Sequence, residues 1–271
     1  MKATINVFRK ELKRNRRSYI AWTLVICGLV VLYTAFYPSV SAASDQMEDL
    51  LEIYPEGFLK AFDIRGIESL TNILGFYVTY NGMFILVLGS IFSTVLAASI
   101  VSKEERGKTA EFLLTQPVHR WEVWGGKILA YLTYLIGLNI SVGLAGVVSI
   151  ALFSEASYDT GAFFVFSTYA FLAMVACGAI GLAVSVALRR PRGMTGAAVG
   201  IAIGAYFIDM LSRIADSADA IGYLSVFKYV RTDVLAADYA LDPWRAAYLI
   251  GITILFFTIS LVRFSRRDIS L

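Results

Sequence analysis

The sequence predicts an all-α polytopic membrane protein. It would have six transmembrane helices, an N-terminal interfacial helix and a short cytosolic helix between helices two and three. Three observations carry this. The 271 residues are 58% hydrophobic and only 17% charged, with a mean hydropathy of +0.66; a soluble chain of this size lacks the polar surface to cover so much apolar area. The charges are missing from long, uninterrupted stretches. Those stretches are continuous rather than alternating over about ten residues, which removes a transmembrane β-barrel. The apolar excess also excludes a disordered chain, and two cysteines are too few for a secreted disulfide scaffold.

Residues 1–17 come first. Ile5, Phe8 and Leu12 recur at helical spacing among Arg9, Lys10, Lys13, Arg14, Arg16 and Arg17. This pattern predicts an amphipathic helix lying in the inner interface, cations toward anionic headgroups. Residues 18–271 form the six-helix transmembrane domain. A span needs about 20 apolar residues. Charge-free stretches run from Ser18 to Ser44, Ser69 to Ser102, Ile128 to Ser154 and Thr160 to Leu188, and hold 27, 34, 27 and 29 residues. Two shorter ones, Gly193 to Ile208 and Ala246 to Val262, hold 16 and 17 and are extended by charged side chains that snorkel at their ends. The expected spans are 18–38, 73–101, 128–153, 161–188, 194–211 and 246–262. Val40-Ser41-Ala42 resembles a small-residue cleavage site, but the apolar run before it is about twice a signal-peptide core, so the first span is expected to be retained.

Basic residues set the expected orientation. With both termini in the cytosol, the pieces 1–17, 102–127, 189–193 and 263–271 carry 18 Lys/Arg and 6 acids. The outer pieces carry 6 Lys/Arg and 14 acids, which is the sidedness of a multi-pass plasma-membrane protein with cytosolic ends. The basic arm runs straight into a span, so its partner is the lipid membrane and no nucleic acid.

Outside, residues 39–72 are longer than a turn requires. Met47, Leu50, Leu51 and Tyr54 share one helical face, with Asp45, Glu48, Asp49 and Glu52 on the other, and Pro55 stops the helix. The expectation is an acidic cap on the outer surface. Thr79, Tyr80, Asn81, Ser90, Ser93, Thr94 and Ser99 make the second span polar for its depth; they read as hydrogen-bonding glue between helices. Gly196, Gly200 and Gly204 form two overlapping G-x-x-x-G steps, a smooth strip for close helix packing in this chain or against another. Asp209 is an intramembrane acid with Arg213 at i+4, which favours a structural ion pair over a proton or ion site. The stretch 221–229 is apolar and aromatic but too short to span, so it reads as an interfacial or re-entrant element.

Several chemistries are missing from the sequence. There is no phosphate-cradling G-x-x-x-x-G-K-[ST] loop, because Trp121 and Ile128 stand at its ends. His119 is the sole histidine, no nucleophile–base set is present, and Cys27 and Cys177 read as small apolar fillers. No catalytic, cofactor-binding or metal-binding residue is assigned.

The cytosolic segment 102–127 is the most informative. Ser102 and Glu105 form an S-x-x-E capping box that predicts a helix start, Pro117 ends that helix, and Trp121 and Trp124 suit the inner interface. The segment resembles the membrane subunits of type-2 ATP-binding-cassette exporters. The family pattern is an acidic residue, Gly, Thr-x-Glu, Leu-Leu, Pro, a basic residue, then Gly-Lys. It is met by Glu105, Gly107, Thr109, Glu111, Leu113, Leu114, Pro117, Arg120, Gly126 and Lys127. Arg9-Lys10-Glu11-Leu12 resembles the family's entry helix, and 223–229 resembles an outer segment where members often carry Pro; Val226 departs from that.

The resemblance implies that two such subunits, identical or homologous, pair and rest on separate ATPase subunits. ATP and Mg would be held by those partners, so this chain would not be an enzyme. The helix at 103–116 would be a coupling helix seated on the ATPase. Glu104, Glu105, Gly107, Thr109, Glu111, Phe112, Leu113, Leu114, Pro117 and Arg120 would form the interface. The expected function is the permease subunit of an ATP-driven exporter. The competing readings are an ion-gradient-driven secondary transporter, which would want several mid-membrane carboxylates, and an ATP-coupled membrane complex for immunity or force transmission.

Overall fold

The computed structural model describes residues 2–106, 119–187, 193–214 and 216–266, and those residues form helices and no strand. Long helices are α1 (Lys2–Ala35), α7 (Gly82–Arg106), α8 (Arg120–Phe153), α9 (Thr160–Ala187), α10 (Met194–Ile214) and α12 (Pro243–Arg266). Shorter ones are α2 (Tyr37–Ala42), α3 (Ser44–Ile53), α4 (Glu56–Ala61), α5 (Glu68–Thr71), α6 (Ile73–Phe76) and α11 (Asp219–Gly222). Six helical stretches are long and apolar enough to cross a membrane: Thr4–Ala42, Ile73–Ile100, Arg120–Phe153, Thr160–Ala187, Met194–Ile214 and Pro243–Ser265.

Two boundaries differ from the sequence expectation for the same reason. The basic stretch and the first span are one unbroken rod, α1, and the third long helix begins at Arg120 rather than Ile128. Reading charges as ends of spans fails where a charge is buried with a partner, and Glu11 and Lys127 are such residues. His119 caps α8 through a box closed by Glu122 at N3, which satisfies two orphan donors of the first turn. The capping box expected at Ser102 does not start a helix. Residues 102–106 continue α7, because a backbone already bonded to the preceding turn has no orphan donors to cap.

The core gathers around α9, which packs against α7 and α12, while α1 lies along α8 and α10 along α7. Small residues on α9 permit this. A β-carbon at Gly178 would stand 2.0 Å from Tyr131 Oη and 2.3 Å from Ser93 Oγ, closer than any side chain can approach. The Gly196, Gly200 and Gly204 strip behaves differently: an added β-carbon meets nothing within 4 Å at any of the three. The expected close packing of this strip is therefore absent among the described residues of the chain; the tight crossings use Gly126, Gly146 and Gly178 instead.

Two polar residues of the second span, Asn81 and Ser93, join helices. Asn81, at the end of a π-turn (Tyr77–Asn81), donates to Thr34 Oγ1 on α1 at 3.0 Å, and Ser149 of α8 donates to the same oxygen at 3.3 Å. Ser93 donates to the Met174 carbonyl of α9 at 2.6 Å and meets Tyr131 Oη at 2.8 Å. Thr94 bonds within its own helix, to the carbonyls of Ser90 and Ile91.

At the end of the bundle remote from the 107–118 connection, Pro55 separates α3 from α4. Residues 216–242 follow α10 as short turns. There Val226, Phe227 and Tyr229 are buried. Ser225 anchors this stretch, accepting from the Phe227 amide and donating to the Ala205 carbonyl of α10 at 2.7 Å. Tyr229 stacks on Tyr248 of α12 at 3.7 Å between ring centroids. The stretch is thus an aromatic plug wedged between α10 and α12.

Candidate functional site: the hub at the base of the bundle

The site is built where α7 ends and α8 begins, on either side of residues 107–118. Gly107, Thr109, Glu111, Phe112, Leu113, Leu114 and Pro117 lie outside the described residues. Glu104 and Glu105 lie on the last turn of α7. Arg120 opens α8 and donates through a guanidinium N–H to the Ser265 carbonyl of α12 at 2.9 Å.

The centre of the hub is a residue pair that sequence reasoning left out of the candidate site. Lys127 is 1% exposed, and its Nζ lies 3.1 Å from Glu11 Oε1 and 2.7 Å from the Ile100 carbonyl. Glu11, equally buried, also receives Arg14 at 2.8 Å and the Asn15 amide at 3.1 Å. One ammonium thus joins α1, α7 and α8. A buried charge without such partners would cost several kcal/mol, so three helices are obliged to hold one geometry here.

The neighbouring residues make the same joint tighter. A β-carbon at Gly126 would stand 2.6 Å from the Thr4 carbonyl oxygen and 3.0 Å from Val7 Cβ, so α1 and α8 touch backbone to side there. Tyr134 donates its hydroxyl to the Leu12 carbonyl of α1. Trp124 Nε1 reaches Ser260 Oγ on α12 at 3.2 Å. The first four turns of α8 therefore contact α1, α7 and α12 together. The Gly126-Lys127 dipeptide and Glu11 were visible as parts of the family pattern; what the sequence did not display was that they meet.

Asp209 and Arg213 belong to the opposite end. Arg213 contacts Asp209 Oδ2 at 2.5 Å and Asp63 Oδ2 at 3.5 Å, and Asp209 is 1% exposed. Asp63 reaches this position from a turn with φ +58°, in the left-handed region that aspartate tolerates. Among the described residues there is no cluster of three His, Cys, Asp or Glu able to hold a metal. Nor does the hub present a nucleophile with a base. Its contacts are structural: they hold α1, α7, α8 and α12 against one another.

Residues 5–269 match the family model described as ABC-2 family transporter protein. No curated protein matches the chain.

Proposed function

Since the chain belongs to the ABC-2 transporter family, we propose that this multi-pass permease is the membrane-spanning subunit of an ATP-driven exporter. ATP hydrolysis takes place on a separate ATPase subunit, which also holds the Mg. That partner bears on the 102–127 segment, with Glu104, Glu105, Glu111, Phe112 and Leu113 among the residues it meets. The termini face the same side as this segment, as the distribution of basic residues favours.

The observation that carries the reading is the Lys127–Glu11–Ile100 joint. A push on residues 107–118 reaches α7 and α8 directly through the chain. The buried ion pair passes it to α1, and Arg120 and Trp124 pass it to α12. Coupling of this kind needs stiff connections with two alternative arrangements rather than a flexible loop. A second permease copy completes the assembly, with the vacant Gly196–Gly200–Gly204 strip as a surface it can approach closely.

The test is co-expression with a candidate ATP-binding-cassette ATPase and reconstitution of the purified complex in lipid. The complex hydrolyses ATP, and the permease alone does not. Glu111→Lys or Phe112→Asp leaves hydrolysis but abolishes transport. Unchanged transport by both variants, or a complex that contains no ATPase, overturns the assignment.

A further inference from the structure

The six basic residues of the outer pieces are Lys60, Arg65, Arg213, Lys228, Arg231 and Arg245. They come from four separate stretches of sequence, yet all six line one cleft of about 840 Å³. Five carboxylates line it with them: Glu56, Asp63, Asp209, Asp219 and Asp233. The charges interleave. Arg65 pairs with Asp63 at 2.9 Å, Arg231 with Asp233 at 2.7 Å, and Lys228 with Asp219. Asp209 Oδ2 accepts from Arg213, while its other oxygen, buried in the same wall, has no hydrogen-bond partner among the described residues.

Beside the cleft lies an apolar pocket of about 420 Å³, between the cap helices α3 and α4 and the ends of α1 and α7. Leu59 and Ile64 belong to both walls, so the two spaces are adjacent. The apolar face of α3 lines this pocket through Met47, Leu50 and Leu51. Aromatic rings border it: Tyr33 lies 4.7 Å from Phe84, and Tyr54 stacks on Phe58 at 5.0 Å. Such rings gather where hydrocarbon meets headgroups. Both spaces lie at the ends of spans remote from the hub, at the level where α10 finishes with Arg213.

We infer that the cleft and the apolar pocket form one site for a zwitterionic phospholipid, its dipolar headgroup in the cleft and part of an acyl chain in the pocket. The alternation of signs selects the headgroup. A purely anionic group would face five carboxylates and a purely cationic one six basic side chains, whereas a phosphate joined to an ammonium meets an opposite charge at each end. The phosphate lies toward Lys60 and Arg245, which with Arg65 are the cleft cations more than one-third exposed. The ammonium lies toward the carboxylates on the Asp209 side. Volumes of this size fall in the range of small-molecule sites. The site requires no nucleotide and no ATPase, so its failure would leave the coupling proposal untouched.

The experiment is native mass spectrometry of the full-length chain in mild detergent, titrated with phosphatidylethanolamine, phosphatidylglycerol or water-soluble phosphoethanolamine. One phosphatidylethanolamine is retained at least about tenfold better than either of the others. Lys60→Gln/Arg245→Gln lowers that retention about tenfold. Both side chains are more than one-third exposed, so the fold is kept. Met47→Gln lowers retention from the apolar side, and Glu48→Gln, outside both walls, leaves it unchanged. Equal retention of phosphatidylglycerol, equal binding of the soluble headgroup, or wild-type retention by both the double variant and Met47→Gln overturns the proposal.

Discussion

Lys127 Nζ stands 3.1 Å from Glu11 Oε1, although the residues are 116 positions apart and each is only 1% exposed. A pair of this kind contributes through what happens when it is broken. Lys127→Met leaves the Glu11 carboxylate buried, with Arg14 at 2.8 Å as its remaining cation among the described residues, and is expected to cost about 3–5 kcal/mol. Glu11→Leu/Lys127→Met removes both charges and recovers most of that loss. A double-mutant cycle of thermal unfolding in detergent checks this; two single losses that simply add would show that the residues do not act as a pair.

The glycines give opposite expectations for one kind of substitution. Gly126→Val forces a side chain onto the Thr4 carbonyl and Val7, parting α1 from α8, and is expected to destabilise by about 1–3 kcal/mol or more. Gly200→Ala meets open space and leaves the monomer's melting temperature unchanged. Gly200→Leu is expected to leave the fold intact and to weaken pairing of two permease copies, read by cross-linking in membranes. Unimpaired pairing would remove α10 from the interface between copies.

These two cases show how much of the molecule was legible beforehand. Six spans follow from the length of the charge-free stretches and the cap helix ended by Pro55 from periodicity, because each depends on local sequence. The partner of the Gly196 strip stays open in the sequence because spacing reveals a smooth face but not what covers it. The Glu11–Lys127 joint was missed because a charge in sequence reads as solvent-facing; only the tertiary fold supplies the partner that lets it be buried. The convergence of six basic residues on one cleft is likewise a property of four segments folded together. Sidedness was read from counts of basic residues, which say nothing of where those residues meet.

The aromatic plug has a defined pH response. Arg231, hydrogen-bonded to Asp233 at 2.7 Å and 3.1 Å, holds that carboxyl below its ordinary value of 3.8, with the Arg65 charge adding to the effect. Because the folded value is the lower one, the contribution to stability is complete above the ordinary carboxylate range and is lost as pH falls through the depressed value. Hydrogen-exchange protection of residues 226–242, corrected for the intrinsic pH dependence of amide exchange, is expected to be flat from pH 7 to about 5 and to fall only in stronger acid. Asp233→Asn abolishes that acid-dependent step. A step centred near pH 6 in the wild type would assign the response to another group.

Asp209 and Arg213 test whether an intramembrane acid serves the fold or carries an ion. Arg213 has two carboxylate neighbours, Asp209 at 2.5 Å and Asp63 at 3.5 Å, whereas Arg213 is the only residue paired with the Asp209 side chain among the described residues. The two deletions are therefore unequal. Asp209→Asn leaves the guanidinium with Asp63 and keeps an acceptor oxygen, so a loss of about 1–2 kcal/mol is expected. Arg213→Gln strands a buried carboxylate and is expected to cost about 3–5 kcal/mol, partly recovered in the Asp209→Asn/Arg213→Gln double variant. Melting temperatures of the three variants in detergent measure the asymmetry. Transport in reconstituted vesicles separates the readings: a structural pair predicts that Asp209→Asn, once folded, keeps its transport rate at every external pH. A folded Asp209→Asn variant that has lost transport would instead make this carboxylate part of an ion path, and would reopen the case for a gradient-driven mechanism.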